Sequence, residues 1–326
     1  KVSRILVQRW NRIPSIAFSS VFMIEMFACR CCTLSLSLMI ALFPSVMSRA
    51  LPIAHEWFVT EHLPSPSAHY DLFRSREVHE TRINDGVAAN YYLLRGTSAD
   101  VLVDAGFNFR NLSAHLFSAG LIDKVKPLFV IGTHEHFDHA TGLHSFEDFQ
   151  NARIMLGSAD ADAVQDGDIL RTSSDEVRGY SQAPEKYWDA SPMEHFSEAL
   201  RAFVVKGRVD RKLYAGDAIE LGAGAKLEVL ELPGHTPGSI GLYDTQAMAI
   251  FTGDAVYGGL LYDECFDSNK TAYRKTMKAL RDLPVQTAFP GHNHILNRTG
   301  YLAVIDCYLS GHTQCGKSWP GSAVLV

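Results

Sequence analysis

The chain has 326 residues, of which 47% are hydrophobic and 20% are charged, so it can bury a substantial core and is not a disordered protein. Its formal net charge of −6, and the lack of a run of lysine and arginine with interleaved aromatic residues, argue against a nucleic-acid-binding protein. The length suits one large domain or two ordinary ones.

The first 50 residues differ from the rest of the chain and are predicted to form an atypical segment outside the folded domain. Residues 16–48 are apolar but are interrupted by Glu25 and Arg30. The uninterrupted run, 33–43, is too short to cross a bilayer, which takes roughly 20 apolar residues, but it has the length of a signal-peptide core. Three interpretations compete: a secretory or anchor signal, a cysteine cluster that accepts palmitate, and translated non-coding sequence before a true start at Met47. The last of these, or a simple anchor, is favoured.

The cysteines indicate where the chain resides. They fall into two groups, Cys29, Cys31 and Cys32 near the start and Cys265, Cys307 and Cys315 in the second half. Their spacing matches neither a paired Cys-x-x-Cys set nor a secreted disulfide framework, which favours free thiols in a reducing compartment. We therefore expect a cytoplasmic protein that associates peripherally with membranes, although the apolar N-terminal run leaves secretory or endoplasmic-reticulum routing open.

The folded domain is expected over residues 55–315, and its first half alternates strands with helices. Short apolar, β-branched and aromatic runs bounded by turn residues predict the strands, and apolar residues at helical spacing ahead of Gly120 predict a helix. In chain order the predicted elements are strands at 89–96 and 100–106, a helix at 110–120, and strands at 127–134 and 152–158 that flank a short helix.

A polar and acidic stretch, residues 159–212, separates this half from the next and is predicted to be a partly helical insertion. A helix is expected within it at 192–207, since Pro192 stands near its start and Gly207 at its end. Beyond it the pattern predicts strands at 226–234, 239–245, 248–254 and 287–292 and a helix at 273–283. Two β-rich halves with helices outside predict an α/β fold, a four-layer αββα sandwich.

The stretch IGTHEHFDHATG, residues 131–142, places three histidines and two acids within six residues directly after an apolar strand. Imidazoles and carboxylates are costly to bury unless they pair or bind a cation. Residues two apart in an extended backbone share a face, so His134 and His136 can reach one ion, while Asp138 and His139 can turn towards a second. The stretch is therefore either a solvated loop rich in histidine or half of a metal site.

Three later strands end in a glycine followed by a residue of ligand type. These residues are His235, Asp254 and His292. Each alone is more often part of a turn than a ligand, but the ordered set of four segments is specific. Imidazole and carboxylate together suit zinc, with iron or manganese also permitted. The sequence therefore predicts that seven side chains converge on metal ions.

Other polar residues near these segments receive different interpretations. Asp104, at the end of a strand, is predicted either to cap its loop or to accept the second N–H of a ligand histidine. Thr236 and Ser239 are predicted to form turns. Three histidines lack a strand-end setting and are predicted to be surface or helix residues: His144, His294 and His312.

The segments THEHFDHATG, PGHTPGS, FTGDAVY and FPGH, preceded by VLVDAG, resemble the successive signature motifs of the metallo-β-lactamase superfamily. The resemblance covers roughly residues 70–310. Within the superfamily, ANYYLLRG, GDAIELG and GDAVYGGLLYD are most similar to an acyl-CoA thioesterase branch found in animals. The resemblance implies the metallo-β-lactamase form of the αββα sandwich.

The resemblance also implies a division of the seven ligands between two zinc ions. His134, His136 and His235 would hold the first ion, Asp138, His139 and His292 the second, and Asp254 would bridge both. No ligand position is substituted. Two cations roughly 3.5–4 Å apart can activate a shared water as the nucleophile, with Asp138 as the catalytic residue that orients it or takes its proton.

A small-molecule thioester such as palmitoyl-CoA is the expected substrate, and no nucleic-acid partner is expected. The same site would suit a hydroxyacylglutathione thioesterase, a lactonase or a phosphodiesterase, and a metal-dependent scaffold or lipid-binding protein is a non-enzymatic alternative. The sequence does not determine the oligomeric state.

Overall fold

The structure of the chain is a computed structural model that describes residues 53–54, 58–77, 89–106, 111–172 and 205–316. The predicted N-terminal segment, 1–50, lies outside the described residues, and so does residue range 173–204, which holds most of the helix expected at 192–207.

The first sheet has eight strands, which are hydrogen-bonded to one another in the order of the sequence. They are β1 (Ile53–Ala54), β2 (Phe58–Leu63), β3 (Asp71–Glu77), β4 (Tyr91–Arg95), β5 (Asp100–Val103), β6 (Leu128–Gly132), β7 (Ala152–Gly157) and β8 (Arg211–Leu213). Pairing is antiparallel from β1 to β5 and parallel from β5 to β8. The strands predicted at 89–96 and 100–106 correspond to β4 and β5, which pair as a hairpin with Tyr92 opposite Val103.

The second sheet has six strands in the order β15-β14-β12-β11-β10-β9. They are β9 (Ala218–Gly222), β10 (Ala225–Glu231), β11 (Ile240–Asp244), β12 (Ala249–Gly253), β14 (Thr287–Pro290) and β15 (Leu296–Asn297). Because β10 and β12 are each antiparallel to β11, and β14 is parallel to β12, the strands β10, β12 and β14 run in one direction. Their carboxyl ends therefore meet at one edge of the sheet.

Six helices and one 3-10 helix are described outside the sheets. They are α1 (Leu112–Ser118), α2 (Phe137–Ala140), the 3-10 helix Thr141–Phe146, α3 (Ser158–Asp166), α4 (Ile169–Thr172), α5 (Lys270–Asp282) and α6 (Arg298–Leu309). Two short strands, β13 (Gly259–Leu260) and β16 (Gln314–Cys315), pair antiparallel beside the second sheet.

Three buried clusters show how the layers stack. Residues of both sheets, such as Leu94, Val101, Leu227 and Phe251, form the central cluster between them. A second cluster packs α1, the 3-10 helix and α3 against the outer face of the first sheet, and a third packs α5 and α6 against the second sheet. The predicted four-layer αββα order is therefore confirmed.

Helix α5 shows why the outer layers are amphipathic. Asn269 caps its first turn by accepting a hydrogen bond from the amide of Ala272. Its buried residues include Tyr273, Met277 and Leu280, at a spacing of three and four that gives one apolar face. Such a stripe can only be buried by packing on the sheet.

Several elements were absent from the sequence prediction. The structure contains these elements, which the sequence analysis did not predict: β2, β3, β8, β9, α3 and α6. The described ends of the predicted insertion, 159–172 and 205–212, hold α3, α4 and part of β8, and its extent as an insertion stays a prediction. No helix among the described residues has both the length and the apolar content that a membrane span requires.

The prediction of free thiols is wrong for two cysteines. Cys307, in the last turn of α6, forms a disulfide with Cys315 in β16, and the Cα atoms of the pair lie 5.8 Å apart. Cys265 is buried with a free thiol. The spacing pattern missed the bridge because a helix followed by a turn brings residues eight apart together, which Cys-x-x-Cys rules do not cover.

Candidate metal centre

The loop after β6 carries the first four candidate ligands. His134 and His136 follow the strand, and His136 occupies the N-cap position of α2 with extended backbone angles. Asp138 and His139 then lie in that short helix. The chain therefore changes direction between the pair His134 and His136 and the pair Asp138 and His139. The two pairs can then face two neighbouring candidate metal positions.

The remaining three candidates come from the second sheet. His235 follows β10, Asp254 follows β12 and His292 follows β14, at the edge where these carboxyl ends meet. The glycines before two of them are required by local geometry. Gly253 has a φ of 49°, and a Cβ on Gly291 would lie 2.6 Å from Oδ1 of Asp254.

The structure brings all seven predicted side chains together in three overlapping groups. The groups are His134, His136 and His235; His134, His139 and Asp254; and Asp138, His139 and His292. Within each group the ligand atoms lie within 4.8 Å of one another. Each group takes two side chains from the loop after β6 and one from the second sheet. Metal binding by these residues stays a prediction.

The three histidines of the first group pack against one another. Their ring centroids lie 4.6–4.8 Å apart, and all three are buried. Burial, followed by the charge of the neighbouring histidines, lowers the pKa of His134 well below its usual value. Burial and His235 lower the pKa of His136 to about 3. Neutral imidazole is the form that binds a metal ion.

Hydrogen bonds at Nδ1 of His134 and of His235 leave Nε2 of each ring as the nitrogen that faces the candidate metal position. Nδ1 of His134 lies 3.0 Å from the hydroxyl of Thr133, and Nδ1 of His235 lies 2.8 Å from the carbonyl oxygen of Tyr262, to which it donates. Within the described chain, Nε2 of His134 and Nε2 of His235 are buried without a hydrogen-bond partner. Two buried ring nitrogens without hydrogen-bond partners, in a group whose ligand atoms lie within 4.8 Å of one another, fit a bound cation.

The third group, together with Asp254, pairs histidines with carboxylates. Nε2 of His292 lies 3.3 Å from Asp138 and 3.2 Å from Asp254, and Nε2 of His139 lies 3.3 Å from Asp254. Burial lowers the pKa of both histidines, but the carboxylates outweigh it, so that the pKa of His139 is raised and that of His292 reaches about 10. A cation at this position would replace those protons as the partner of the carboxylates.

Asp104 orients two of the candidate ligands. It accepts a hydrogen bond from a candidate ligand histidine, which is one of the two roles predicted for it. Its carboxylate accepts hydrogen bonds from Nδ1 of His139 at 2.9 Å and from the amide and hydroxyl of Thr133. Since the same hydroxyl accepts from His134, one buried carboxylate aligns a ligand of each group. Asp104 has a φ of 61°, which a non-glycine residue adopts at a cost.

A charged network behind the ligands was not predicted. Glu135, between two ligand histidines, is fully buried and lies 2.9 Å from the guanidinium of Arg171. That guanidinium also pairs with Asp160 at 3.2 Å and with Asp267 at 2.8 Å. Asp160 in turn accepts hydrogen bonds from Thr236, next to His235. Arg171 therefore connects the loop after β6, through Glu135, to the loop after β10, through Asp160 and Thr236.

The network gave little signal in the sequence. Arg171 lies in the polar stretch that was predicted to be an insertion, and its partners are 11 to 96 residues away in the chain. Only the unusual position of Glu135 between two ligand histidines pointed to a buried acid. Thr236 and Ser239 form the predicted turn, in which their hydroxyls lie 2.7 Å apart.

The histidines predicted to lie at the surface do so. His144, His294 and His312 are all exposed and are absent from the three groups. His292, and not His294, takes the place at the end of β14. The structure therefore separates the candidate ligands from the other histidines in the way the strand-end criterion predicted.

A comparison with protein families matches residues 84–292 to the model described as the metallo-beta-lactamase superfamily. Among curated proteins, the chain is 32% identical over 277 residues to "Acyl-coenzyme A thioesterase MBLAC2" of Gallus gallus, covering 81% of this chain and 91% of the relative. It is 31% identical to the protein of the same name from Homo sapiens, covering 74% and 85%. "Probable metallo-hydrolase YqgX" of Bacillus subtilis is 28% identical, covering 63% and 85%.

Solved structures show the same fold. A metallo-beta-lactamase from Pontibacter korlensis superposes with a TM-score of 0.52 at 16% identity, covering 77% of this chain and 97% of that one. The BLEG-1 B3 metallo-beta-lactamase superposes with a TM-score of 0.51 at 18% identity, covering 70% and 97%. The sandwich, the converging strand ends and the family match lead to one conclusion: the chain belongs to the metallo-β-lactamase superfamily.

Proposed function

We propose that this chain is a metal-dependent hydrolase that cleaves acyl-CoA thioesters, with two zinc ions held by the seven converging side chains. One observation carries the proposal. The three ligand groups overlap through His134 and His139, and this sharing of side chains supports adjacent cation positions over separate sites.

The donor set supports zinc at both positions. The first position offers three imidazoles, and the second offers two imidazoles and the carboxylate of Asp138, with Asp254 as a shared donor. Nitrogen with some oxygen is the set that zinc favours, although iron and manganese bind the same donors. When bound, a pair of such ions supplies a water of lowered pKa and a positive charge that polarises a carbonyl.

Asp138 is the group of this chain that would handle the proton. Its side chain is 14% exposed, more than the 0–5% of its neighbours His139, His292 and Asp254, so it is the most exposed to solvent of these four. Burial raises its pKa, but His139 and His292 outweigh burial, and the net pKa is lowered. An ionised carboxylate at neutral pH can accept a proton from an attacking water.

The substrate class is supported by the relatives and by the chemistry of the leaving group. Two relatives at 31–32% identity over most of the chain are named acyl-coenzyme A thioesterases. A thiol has a pKa near 8.5, so a thiolate departs with little help from an acid. Against burial, which raises them, His139 and His292 lower the pKa values of Asp138 and Asp254, so these carboxyls are poor proton donors and the centre suits a thioester better than an amide. A long acyl chain such as palmitoyl is proposed as the acyl group.

The test is a substrate panel with zinc-loaded protein. Palmitoyl-CoA, a hydroxyacylglutathione, a lactone and a phosphodiester are compared at equal concentration, and palmitoyl-CoA should have the highest kcat/KM. His136→Ala should abolish turnover, while His144→Ala, an exposed histidine outside the ligand groups, should leave it unchanged. If zinc-loaded protein cleaves no acyl-CoA above background, the thioesterase proposal is wrong, and the substrate that does turn over identifies the alternative.

A further inference from the structure

Two asparagines of the second half lie in the acceptor pattern for N-linked glycans. The pattern, asparagine followed two residues later by serine or threonine, occurs at Asn269-Lys-Thr271 and at Asn297-Arg-Thr299. Both asparagines and both threonines are exposed. An acceptor site must lie at the surface because the attached sugar is bulky and polar.

Each asparagine uses its side-chain oxygen, Oδ1, in a helix-capping hydrogen bond, so the side-chain nitrogen, Nδ2, takes no part in that bond. Asn269 and Asn297 are the N-caps of α5 and α6, and each accepts through Oδ1 from a backbone amide at 2.9 Å. A glycan is attached at Nδ2, the other atom of the amide. The cap and the sugar can therefore coexist on one side chain.

The disulfide is an independent observation that points to the same compartment. Cys307 and Cys315 are bonded to each other, and disulfides form and persist in the endoplasmic reticulum lumen and outside the cell, where N-glycosylation also takes place. The apolar run 33–43, with Arg30 ahead of it, has the length of a signal-peptide core that would direct a chain there.

We propose that Asn269 and Asn297 carry N-linked glycans and that this domain folds in an oxidising, lumenal compartment and not in the cytoplasm. The co-reactant is an oligosaccharide linked to a polyprenyl diphosphate. A bond forms between Nδ2 and the anomeric carbon, the bond from that carbon to the diphosphate oxygen breaks, Nδ2 loses a proton, and the polyprenyl diphosphate leaves with the electron pair. A third match, Asn111-Leu-Ser113, is outside the proposal because the hydroxyl of Ser113 is buried and donates to Ser145.

A capping role alone would also favour asparagine at these positions, so the test must separate the cap from the acceptor. Aspartate caps a helix as well as asparagine does but has no amide nitrogen. Asn269→Asp and Asn297→Asp therefore keep the cap and remove the acceptor. Thr271→Ser and Thr299→Ser keep the acceptor pattern, and Thr271→Ala and Thr299→Ala destroy it.

The experiment measures the intact mass of the full chain, produced with its own N-terminal region and no added leader in eukaryotic cells. The expected wild-type mass exceeds that of the polypeptide by two glycans, which peptide-N-glycosidase removes while converting the two asparagines to aspartate. Each single Asn→Asp or Thr→Ala variant should lose one glycan, and each Thr→Ser variant should lose none. Without reductant, Cys307 and Cys315 should resist alkylation.

A wild-type mass equal to that of the polypeptide, or alkylation of both cysteines in the untreated protein, overturns the proposal. Glycans mapped to other residues with Asn269 and Asn297 unmodified overturn it as well. None of these readouts depends on turnover, so the result stands apart from the thioesterase assay.

Discussion

At the scale of single residues, Asp104 is the group that keeps the ligand histidines aligned. It accepts from His139 directly and from His134 through the hydroxyl of Thr133. A carboxylate in this place makes the far ring nitrogen a better electron donor and holds the ring in one orientation. Its effect should therefore appear in metal affinity before it appears in folding.

We expect Asp104→Asn to weaken zinc binding about 10–100-fold, the usual cost of losing such a partner. Asparagine tolerates the left-handed backbone that Asp104 adopts, so the substitution tests charge and hydrogen bonding and not backbone strain. Competition with a coloured chelator measures the zinc Kd. Asp162→Asn, at an exposed carboxylate paired with Lys212, is the control and should leave the Kd unchanged. Equal affinities for Asp104→Asn and wild type would contradict this role.

Asp160 gives a pH dependence that can be measured on the metal-free protein. Burial raises its pKa from 3.8 to about 6, although Thr236, Arg171 and Gly238 oppose the rise. Between these two values the folded state binds more protons than the unfolded state. The free energy of unfolding therefore falls as the pH rises from about 4 to about 6, by about 3 kcal/mol from this group at 1.36 kcal/mol per pKa unit.

Asp160→Asn should remove that contribution because asparagine does not titrate. Urea unfolding of both proteins across this interval should show wild type losing about 3 kcal/mol relative to the variant as the pH rises. Ionisable groups that do not interact with Asp160 titrate equally in both proteins and cancel in the difference. A difference that does not change with pH would show that Asp160 keeps its ordinary pKa.

At the scale of elements, the predictions succeeded where a strand is buried on both faces or a helix on one. Residues Leu128–Gly132 and Ala249–Gly253 are short apolar runs between turn residues, and α5 has a clean apolar stripe. Four of the candidate ligands were predictable from these strands, because they lie at or directly after predicted strand ends: His134, His235, Asp254 and His292.

The missed elements have weaker local signals. Helix α6 contains Gly300 near its start and the β-branched pair Val304 and Ile305, which lower helix propensity, and packing on the second sheet decides its structure. Strand β3 contains Arg74 and Arg76, which form ion pairs with Glu61 of β2 across the sheet. Such cross-strand partners, like those of Arg171, are fixed by the tertiary fold and leave no periodic pattern.

The disulfide fastens α6 to the small β13–β16 pair. A bridge that closes a loop of this length, eight residues along the chain, stabilises a protein by about 2–3 kcal/mol in the chain-entropy model. Cys307→Ser should lower the free energy of unfolding by that amount in urea. Reductant should destabilise wild type and Cys265→Ser but have no effect on Cys307→Ser. A wild-type protein insensitive to reductant would contradict the bridge.

At the scale of the whole molecule, the candidate centre couples metal binding to stability. Its seven side chains are mostly buried, and Nε2 of His134 and Nε2 of His235 have no hydrogen-bond partner within the described chain. Buried polar groups without partners destabilise a fold, and a ligand that binds only the folded state stabilises it by mass action.

Removal of metal by a chelator should therefore lower the Tm, and zinc at 100 times its Kd should raise the free energy of unfolding by about 2.7 kcal/mol. Scanning calorimetry or urea unfolding checks both effects. Magnesium at the same concentration should give no shift, since it selects oxygen ligands over imidazole. A zinc-independent Tm would contradict the two-ion centre.

Every ligand group draws two side chains from the loop after β6 and one from the second sheet. Neither sheet by itself can offer any position three donors. During refolding, tight binding of the ions would therefore follow docking of the two sheets. The rate of metal uptake would then report the rate of that last assembly step. For the same reason, a chain cut short ahead of His235 would keep four donors and hold no ion firmly.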